Sequence, residues 1–345
     1  MKVYIYPILL LLLSTRIFAQ AGDDRLKEIN SMAKKDTLGW MKGGGIGLDM
    51  AGMGFLNPKV GAGGNRFGIG GLGTFFINYK ADKVFWNNGG SLQLSTQRLG
   101  KTSPTQKTGF QKNLDVLRLT SRYGYKLGGE KWYIAADAFA QTLLLKTYAS
   151  NYLSPIDAND KVVAKFLSPI QITFSPGIDY KPNPHLSLFY SPCGIQVIYV
   201  ADDSIASRGI HGNEVTRDPS GRILSYKNSF FGVGSEFKAG YTNKYYKDRL
   251  SVTSNLRLFA NYLDHPENVD VLFSNNFSIM IFKGLSLDLL GEYFYDNDVL
   301  VQKDVNKDGI YEIKINADGT TTGPDRIGRG GQFTGAFLLK FSKIF

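Results

Sequence analysis

Charged side chains recur at alternate positions in several stretches of this chain that are otherwise rich in β-forming residues. Alternation matters because successive residues of a strand point to opposite faces of a sheet. If such strands close around a lumen, acids and bases on the inner face either line a water-filled path or pair across the axis and close it. The candidate lumen-lining residues are Arg118, Arg122, Asp137, Glu236, Lys238, Arg257, Asp288 and Glu292.

A second group of polar residues has the spacing of a calcium-binding loop. Oxygen-bearing side chains occupy alternate positions before a glycine, at Asp304, Asn306 and Asp308, and Glu312 follows. A hard cation takes several oxygen ligands from a tight coil, with glycine at the turn. An EF-hand would place glutamate where Ile315 stands, so Glu312 would act in its place. The alternative is a solvated acidic turn.

The residues give little support for catalysis. The three histidines, His185, His211 and His265, all lie in or beside predicted turns and loops. A lipid-hydrolysing barrel needs a serine, a histidine and a polar orienting group together, and the sequence shows no such pairing and no metal-ligand cluster. We therefore predict that the protein is not an enzyme, with His211 as the least implausible base.

Twelve predicted strands must position the candidate lumen residues. In the eleventh strand the apolar Leu285, Leu287 and Leu289 alternate with polar residues that include Asp288, which is the pattern of one lipid face and one lumen face. The ninth strand alternates in the same way around Arg257. The predicted strands span roughly 41–50, 66–80, 84–98, 113–127, 131–147, 165–180, 185–200, 228–241, 249–263, 268–282, 285–299 and 331–345.

The connections between these strands alternate in length, which is typical of transmembrane barrels with short periplasmic turns and long outer loops. One connection, 264–267, is short where a long one is expected. The short connections are 81–83, 128–130, 181–184, 242–248 and 283–284, and the long ones are 51–65, 99–112, 148–164, 201–227 and 300–330.

The two ends of the chain indicate export and membrane insertion. Residues 1–20 carry Lys2 and then a short apolar run, which is the pattern of a secretory signal peptide. Residues 21–38 are polar and predict a periplasmic lead-in, and 39–345 predict the barrel. The chain ends on Phe345, after apolar residues at alternate positions. A closed barrel is then the structure that satisfies the backbone in lipid, so we expect an outer-membrane location with both termini in the periplasm.

Composition agrees with a barrel whose apolar face is hidden by alternation. The chain has 39 glycines, 23 phenylalanines and 19 tyrosines, yet its mean hydropathy is −0.15. Cys193 is the only cysteine, so an intrachain disulfide is excluded. Removal of Lys2 and Arg16 with the signal peptide changes the formal charge from +10 to +8. These charges are scattered and form no nucleic-acid-binding motif.

Several short motifs resemble those of a Bacteroidetes outer-membrane β-barrel family, an uncharacterised domain of unknown function. The resemblance spans nearly the whole chain after the signal peptide and implies an outer-membrane barrel without an established activity. One stretch departs from it: where the family usually shows a tryptophan followed by small residues and a double glycine near the first loop, this chain has Asn57-Pro58-Lys59-Val60-Gly61-Ala62-Gly63-Gly64. The motifs lie at 113–117, 121–126, 131–133, 168–169, 177–182, 186–188, 191–192, 256–262, 268–271 and 295–298.

Taken together, the sequence predicts a monomeric all-β protein, a transmembrane up-and-down antiparallel barrel of about twelve strands, in a Gram-negative outer membrane. Its predicted function is a passive channel or small-solute uptake protein, with a charged, gated lumen that is closed at rest. The alternative is a non-conducting structural or surface-binding barrel that acts through its extracellular loops. Expected partners are outer-membrane lipid, lipopolysaccharide and the barrel-assembly machinery, with no nucleic acid and no cofactor besides Ca²⁺ in the 304–312 loop.

Overall fold

The fold is one closed sheet. The computed structural model describes residues 38–53, 66–99, 109–218, 220–263, 265–295, 300–303, 305, 314–315, 321–323 and 326–344. Each neighbouring pair of strands in the barrel is antiparallel. The barrel strands are, in order, β1 (Gly39–Met53), β2 (Arg66–Lys80), β3 (Val84–Leu99), β4 (Phe110–Lys126), β5 (Trp132–Thr142), β8 (Ile170–Asn183), β9 (Leu186–Tyr199), β12 (Ser229–Tyr245), β13 (Leu250–Asn261), β14 (Val269–Phe282), β15 (Leu285–Tyr295) and β20 (Gln332–Ile344).

The first and last strands close the barrel. β1 pairs with β2 on one side and with β20 on the other, from Gly45 opposite Ile344 to Met50 opposite Leu339. Because the number of strands is even, β1 begins and β20 ends at the same end of the barrel. The predicted fold, a transmembrane up-and-down barrel of about twelve strands in a single domain, is confirmed.

The connections differ between the two ends of the barrel. Five short turns, at 81–83, 127–131, 184–185, 246–249 and 283–284, lie at the end where β1 begins, which we name the turn end. The opposite end, which we name the loop end, carries the longer connections and the short one at 262–268. The loop end also holds short paired strands: β6 (Thr147–Tyr148) with β7 (Val162–Ala164), β10 (Val215–Arg217) with β11 (Ile223–Tyr226), β16 (Leu300–Lys303) with β19 (Arg326–Arg329), and β17 (Lys314–Ile315) with β18 (Thr321–Thr322).

Helix is scarce among the described residues. A single turn of helix, Asp203–Ala206, lies in the connection between β9 and β12. None of the described helices is long and apolar enough to cross a membrane. The predicted signal peptide at 1–20 lies outside the described residues, as does the lead-in apart from Leu38.

Two predicted strand ends were wrong. The sequence pattern predicts strands over 131–147 and 165–180, whereas β5 ends at Thr142 and β8 begins at Ile170. The reason is that the chain after Thr142 finds other partners. The Asp115 carboxylate accepts hydrogen bonds from the backbone N–H groups of Leu144 and Leu145, at 2.8 Å each. The Thr142 hydroxyl accepts one from the Leu167 N–H at 2.9 Å.

The outer wall of the barrel is apolar. Large apolar side chains point away from the axis at alternate positions of many strands and are exposed. Soluble monomers rarely expose a continuous apolar surface larger than a few hundred Å², so this wall is suited to lipid. The exposed side chains include Ile46, Leu48, Ile69, Phe75, Ile77, Leu119, Ile134, Ile172, Phe174, Phe231, Phe273, Phe277, Ile279, Leu339 and Phe341.

All three tryptophans of the chain lie on the outer wall near the turn end. Trp40 contacts Tyr79 and Trp86, with ring centroids 5.1 and 6.0 Å away. Trp132 packs on Tyr180 at 4.4 Å. Aromatic side chains with a polar atom favour the boundary between hydrocarbon and water, so these clusters mark one edge of the apolar wall.

The apolar wall predicts a depth-dependent cost for a charge. Leu119 lies midway along β4, and Tyr125 lies near its turn end; both point outward. In lipid vesicles Leu119→Arg should lower the free energy of unfolding by about 2–4 kcal/mol, and Tyr125→Arg by about 0–1 kcal/mol. Denaturant titration in lipid measures both values. Equal, small effects would contradict the assignment of this wall to lipid.

Candidate functional site: an ion-pair network in the lumen

Seven charged side chains on the inner face form a continuous network, which we name the lumen network. It runs Lys181–Asp179–Arg122–Asp137–Lys238–Glu236–Arg257. The shortest contacts are Lys238 Nζ to Asp137 Oδ2 and Arg257 Nε to Glu236 Oε1, both 2.6 Å, and Arg122 Nε to Asp137 Oδ1, 2.9 Å.

The remaining ion pairs of the lumen network join Lys238 to Glu236, and Asp179 to Lys181 and Arg122. Lys238 Nζ lies 2.9 Å from Glu236 Oε2, while Asp179 Oδ2 lies 3.4 Å from Lys181 Nζ and 3.6 Å from Arg122 Nη1. Asp179 Oδ1 accepts a hydrogen bond from the Ser187 hydroxyl at 2.7 Å. Four cations and three carboxylates therefore leave the network with one net positive charge.

The network projects into the lumen. Lys238 lies on β12 and Asp137 on β5, and β8 and β9 stand between these two strands in the barrel. Three strand spacings amount to about 14 Å along the wall, yet the two side chains meet at 2.6 Å. They must therefore leave the wall and meet over the intervening strands.

An aromatic side chain lies beneath this contact. Phe189 of β9 is fully buried. Its ring centroid is 4.6 Å from the Arg122 guanidinium carbon and 5.9 Å from Lys238 Nζ. Nearer the turn end, Lys181 Nζ lies 3.6 Å from the ring centroid of Phe85 and 4.9 Å from that of Tyr133. Cation–π contacts of this kind hold the cations over the faces of the aromatic rings.

Two of the three acids of the network are buried, and its cations are partly exposed to water. The exposed fractions of the side chains are 31% for Lys181, 22% for Arg122, 24% for Lys238 and 30% for Arg257. Those of the carboxylates are 0% for Asp179, 18% for Asp137 and 1% for Glu236. The surface that the network offers to the lumen is thus mainly cationic.

An irregularity in β9 places Glu236. The pairing of β9 shifts register against β8 near Gly177 and against β12 between Gly234 and Glu236. A Cβ on Gly177 would come within 2.1 Å of the Tyr190 carbonyl oxygen, and one on Gly234 within 2.1 Å of the Ala260 carbonyl oxygen. Glycine is needed at both positions because the backbones approach so closely.

The structure brings five of the eight sequence-predicted lumen residues into the network: Arg122, Asp137, Glu236, Lys238 and Arg257. Arg118 donates from Nε to Gln141 Oε1 at 2.7 Å. Asp288 is buried on β15 and accepts hydrogen bonds from Ser278 at 2.6 Å and Ser286 at 3.0 Å. Glu292 lies on the same strand, and its side chain is outside the described residues.

Sequence reasoning missed Asp179, Lys181 and the aromatic ring of Phe189. The alternation that reveals the other strands is also present here, since Thr173, Ser175 and Asp179 face inward between apolar residues. The predicted strand ended at 180, which left Lys181 in a turn. Had the predicted strand been extended by three residues, to 183, Asp179 and Lys181 would both have been placed on its inner face.

Part of the inner face is hydroxyl and amide in character. Besides Leu72 and Phe76 on β2 and Arg257 of the network on β13, several inward positions on β2, β3, β13 and β14 hold hydroxyl and amide side chains. The buried ones are Thr74, Asn78, Ser91, Gln93, Ser251, Thr253, Ser274 and Asn276.

At the loop end, residues 143–169 and 200–228 fold together into a unit that we name the loop cap. Val200, Ile205, Ala206 and Ile210 form a buried apolar cluster, against which Val162 and Val163 pack. Lys165 forms an ion pair with Asp202, which also caps the short helix. The cap therefore has a small core of its own.

His211 links the two segments of the loop cap. It is buried, and its Nε2 donates to the Val163 carbonyl oxygen at 2.9 Å. Burial lowers the pKa of His211 below its ordinary value, and the positive charge of Arg208 lowers it further, although the hydrogen bond to Val163 opposes both. The neutral ring is therefore the form that fits the folded cap.

Catalysis by the other two histidines and metal binding have less support. His185 lies in the turn between β8 and β9, with Nδ1 3.2 Å from the Thr242 carbonyl oxygen, and His265 pairs with Glu267 in an exposed loop. The described residues contain no group of three or more His, Cys, Asp or Glu side chains placed to hold a metal. The predicted calcium ligands Asp304, Asn306, Asp308 and Glu312 lie outside the described residues, so that site stays a prediction.

Comparison with known proteins adds a family match and distant structural likenesses. A family model described as a protein of unknown function (DUF3078) matches residues 55–148, the part of the chain that holds Arg118, Arg122 and Asp137. The chain is thus similar to an uncharacterised domain, as the motifs predicted; the Bacteroidetes origin stays a prediction. None of the curated proteins compared with the chain matches it.

Several solved structures of barrels are similar to the chain. An outer-membrane channel from Pseudomonas putida F1 has 10% identity and a TM-score of 0.40, over 90% of this chain and 96% of that one. The translocator domain of the autotransporter NalP from Neisseria meningitidis has 7% identity and a TM-score of 0.37, over 95% and 97%. A FadL homologue from Pseudomonas aeruginosa has 10% identity and a TM-score of 0.31, over 89% of each chain. At such TM-scores the activities of these proteins are not transferred to this chain.

Removal of one buried acid should weaken the barrel. Glu236→Gln takes the carboxylate from Lys238 and Arg257, and breaking a buried pair commonly costs 3–5 kcal/mol; because these cations are partly exposed, we expect a loss of about 2 kcal/mol. Glu214→Gln breaks an exposed pair with Lys227 and should leave stability unchanged. Denaturant titration compares the two. A Glu236→Gln protein as stable as the wild type would show that the network contributes no stability.

Acid should loosen the loop cap. An unfolded cap takes up a proton on His211 near pH 6.5, whereas the folded cap resists protonation to lower pH. The free energy that holds the cap together therefore falls as the pH drops below about 6.5. Hydrogen exchange of residues 200–213, corrected for intrinsic rates, should show less protection at about pH 5.5 than at about pH 7.5. The difference should shrink in His211→Asn; equal protection of the wild type at both pH values would contradict the role of His211.

Proposed function

We propose that this protein is a passive channel for small solutes in the outer membrane of a Gram-negative cell. The observation that carries the proposal is the lumen network, whose cations stay 22–31% exposed while its acids are 0–18% exposed. Water therefore reaches the lumen network. A barrel filled only for stability would gain more from apolar side chains than from ion pairs that lose solvation.

The same proposal includes the placement of the chain in the cell. Residues 1–20 are removed as a signal peptide, 21–38 lie in the periplasm, and the turn end faces the periplasm with both termini. Supporting features are the apolar outer wall, the tryptophan clusters at the turn end and the longer connections at the loop end.

Partners and metal form the last part of this proposal. The outer wall would contact lipid and lipopolysaccharide, the barrel-assembly machinery would insert the chain, and the protein would act as a monomer. Ca²⁺ at Asp304, Asn306, Asp308 and Glu312 remains a candidate because their oxygen ligands alternate before Gly309.

The loop cap supports a second candidate function, a non-conducting surface-binding barrel. Simple connections rarely bury a core, whereas Val200, Ile205 and Ala206 are each at most 1% exposed. The ion pair Lys165–Asp202 and the hydrogen bond from Arg208 Nη1 to the Val162 carbonyl oxygen, at 2.8 Å, further fix its shape. An ordered outer surface of this kind is what a binding protein presents to a partner.

Conductance across a planar bilayer separates these functions. The refolded protein should give steady or gated currents. Asn255→Trp adds bulk to the inner face beside Arg257 and should lower the single-channel conductance, whereas Leu256→Trp adds the same bulk to the outer face and should leave it unchanged. Silence from a folded wild-type barrel would favour the surface-binding function.

A further inference from the structure

We propose that the lumen selects anions, an inference that rests on the proposed channel and names its substrate class. The two observations behind it are a set of lysines at the turn-end mouth and the guanidinium groups of the lumen network. Both place positive charge where a solute must pass.

Four lysines lie on the inward face near the turn end. Register places Lys80 opposite the inward Phe85, Lys126 opposite Tyr133, and Lys244 opposite Ser251, while Lys181 belongs to the network. These residues stand on β2, β4, β8 and β12, so positive charge is distributed around much of the mouth. Lysine and arginine rings are a known means of selecting anions.

Two of these lysines carry uncompensated charge. Among the described residues, the ammonium groups of Lys126 and Lys244 have no acidic partner within 4.0 Å. Both side chains are only half-buried. Their charges are therefore available to a solute at the mouth, and their removal breaks no ion pair seen in the structure.

Further into the barrel, the network offers unused hydrogen-bond donors. Arg257 engages Glu236 through Nε, and its two terminal nitrogens have no hydrogen-bond partner among the residues that the structure describes, although the guanidinium carbon lies 5.4 Å from the Phe259 ring centroid. Arg122 contacts Asp137 through Nε and Asp179 through Nη1, which leaves Nη2 as a donor for a solute. Guanidinium donors suit carboxylate and phosphate oxygens. Two of the three acids of the network, Asp179 and Glu236, are buried behind these cations, and the third, Asp137, is 18% exposed.

These groups thus form a path for small anions, which are either inorganic ions or solutes that carry a carboxylate or phosphate group. A solute would meet the mouth lysines, then the guanidinium groups of the network together with hydroxyl and amide side chains at other inward positions. The hydroxyl and amide groups of Ser251, Thr253 and Asn276 tolerate the uncharged part of a polar solute.

Reversal potentials in a potassium chloride gradient test this proposal. The wild type should pass chloride in preference to potassium. Lys126→Gln with Lys244→Gln should lower the chloride-to-potassium permeability ratio about twofold or more, since each unit charge acts on a passing ion across water at short range. Charge reversal at both positions to glutamate should lower it further. Lys227→Gln removes an exposed loop cation, 71% exposed, and should change nothing.

The outcomes separate the inference from the function on which it rests. Currents without chloride preference in the wild type, or a double glutamine variant with unchanged selectivity, would overturn anion selection and leave the channel standing. Silence from the folded wild type would remove the channel and the inference with it. If the double variant does not fold, Arg257→Lys and Arg257→Gln replace it: lysine should keep the preference for chloride, and glutamine should weaken it.

Discussion

A backbone amide in hydrocarbon has no water to bind, so every strand of this protein needs a neighbour on both sides. Pairing of β1 with β20 meets that requirement, because it removes the two edges that an open sheet would leave. Closure also determines in which direction each strand side chain points. One set of alternate residues must face lipid, and the other must face an enclosed space that only twelve strands surround.

The enclosed space explains the form of the lumen network. A charge on the outer wall would be costly, so Arg122, Asp137, Glu236 and Arg257 share the inner face. There the narrow circumference brings β5 and β12 close enough for Lys238 to reach Asp137. Burying Asp179 and Glu236 would be unfavourable alone, and partly exposed cations offset that cost while keeping their own hydration.

Much of this architecture could be predicted from period-two alternation. The pattern shows which side chains share a face of a strand, and this does not depend on knowing which strands pair. It placed Arg257 and Asp288 on inward positions and gave most strand ends within a few residues. It failed where tertiary contacts decide, as at Thr142, where Asp115 captures the N–H groups that would have continued β5. The choice of partner in Lys238–Asp137 also depends on barrel curvature, which a linear pattern does not contain.

The position of the three tryptophans gives the protein a natural optical label. Trp40, Trp86 and Trp132 all lie at the turn end of the outer wall, so the tryptophan fluorescence of the chain comes from a single boundary of the bilayer. A quencher confined to one leaflet would therefore report which way the barrel has inserted. The sidedness of a reconstituted sample can be read without any added dye or engineered residue.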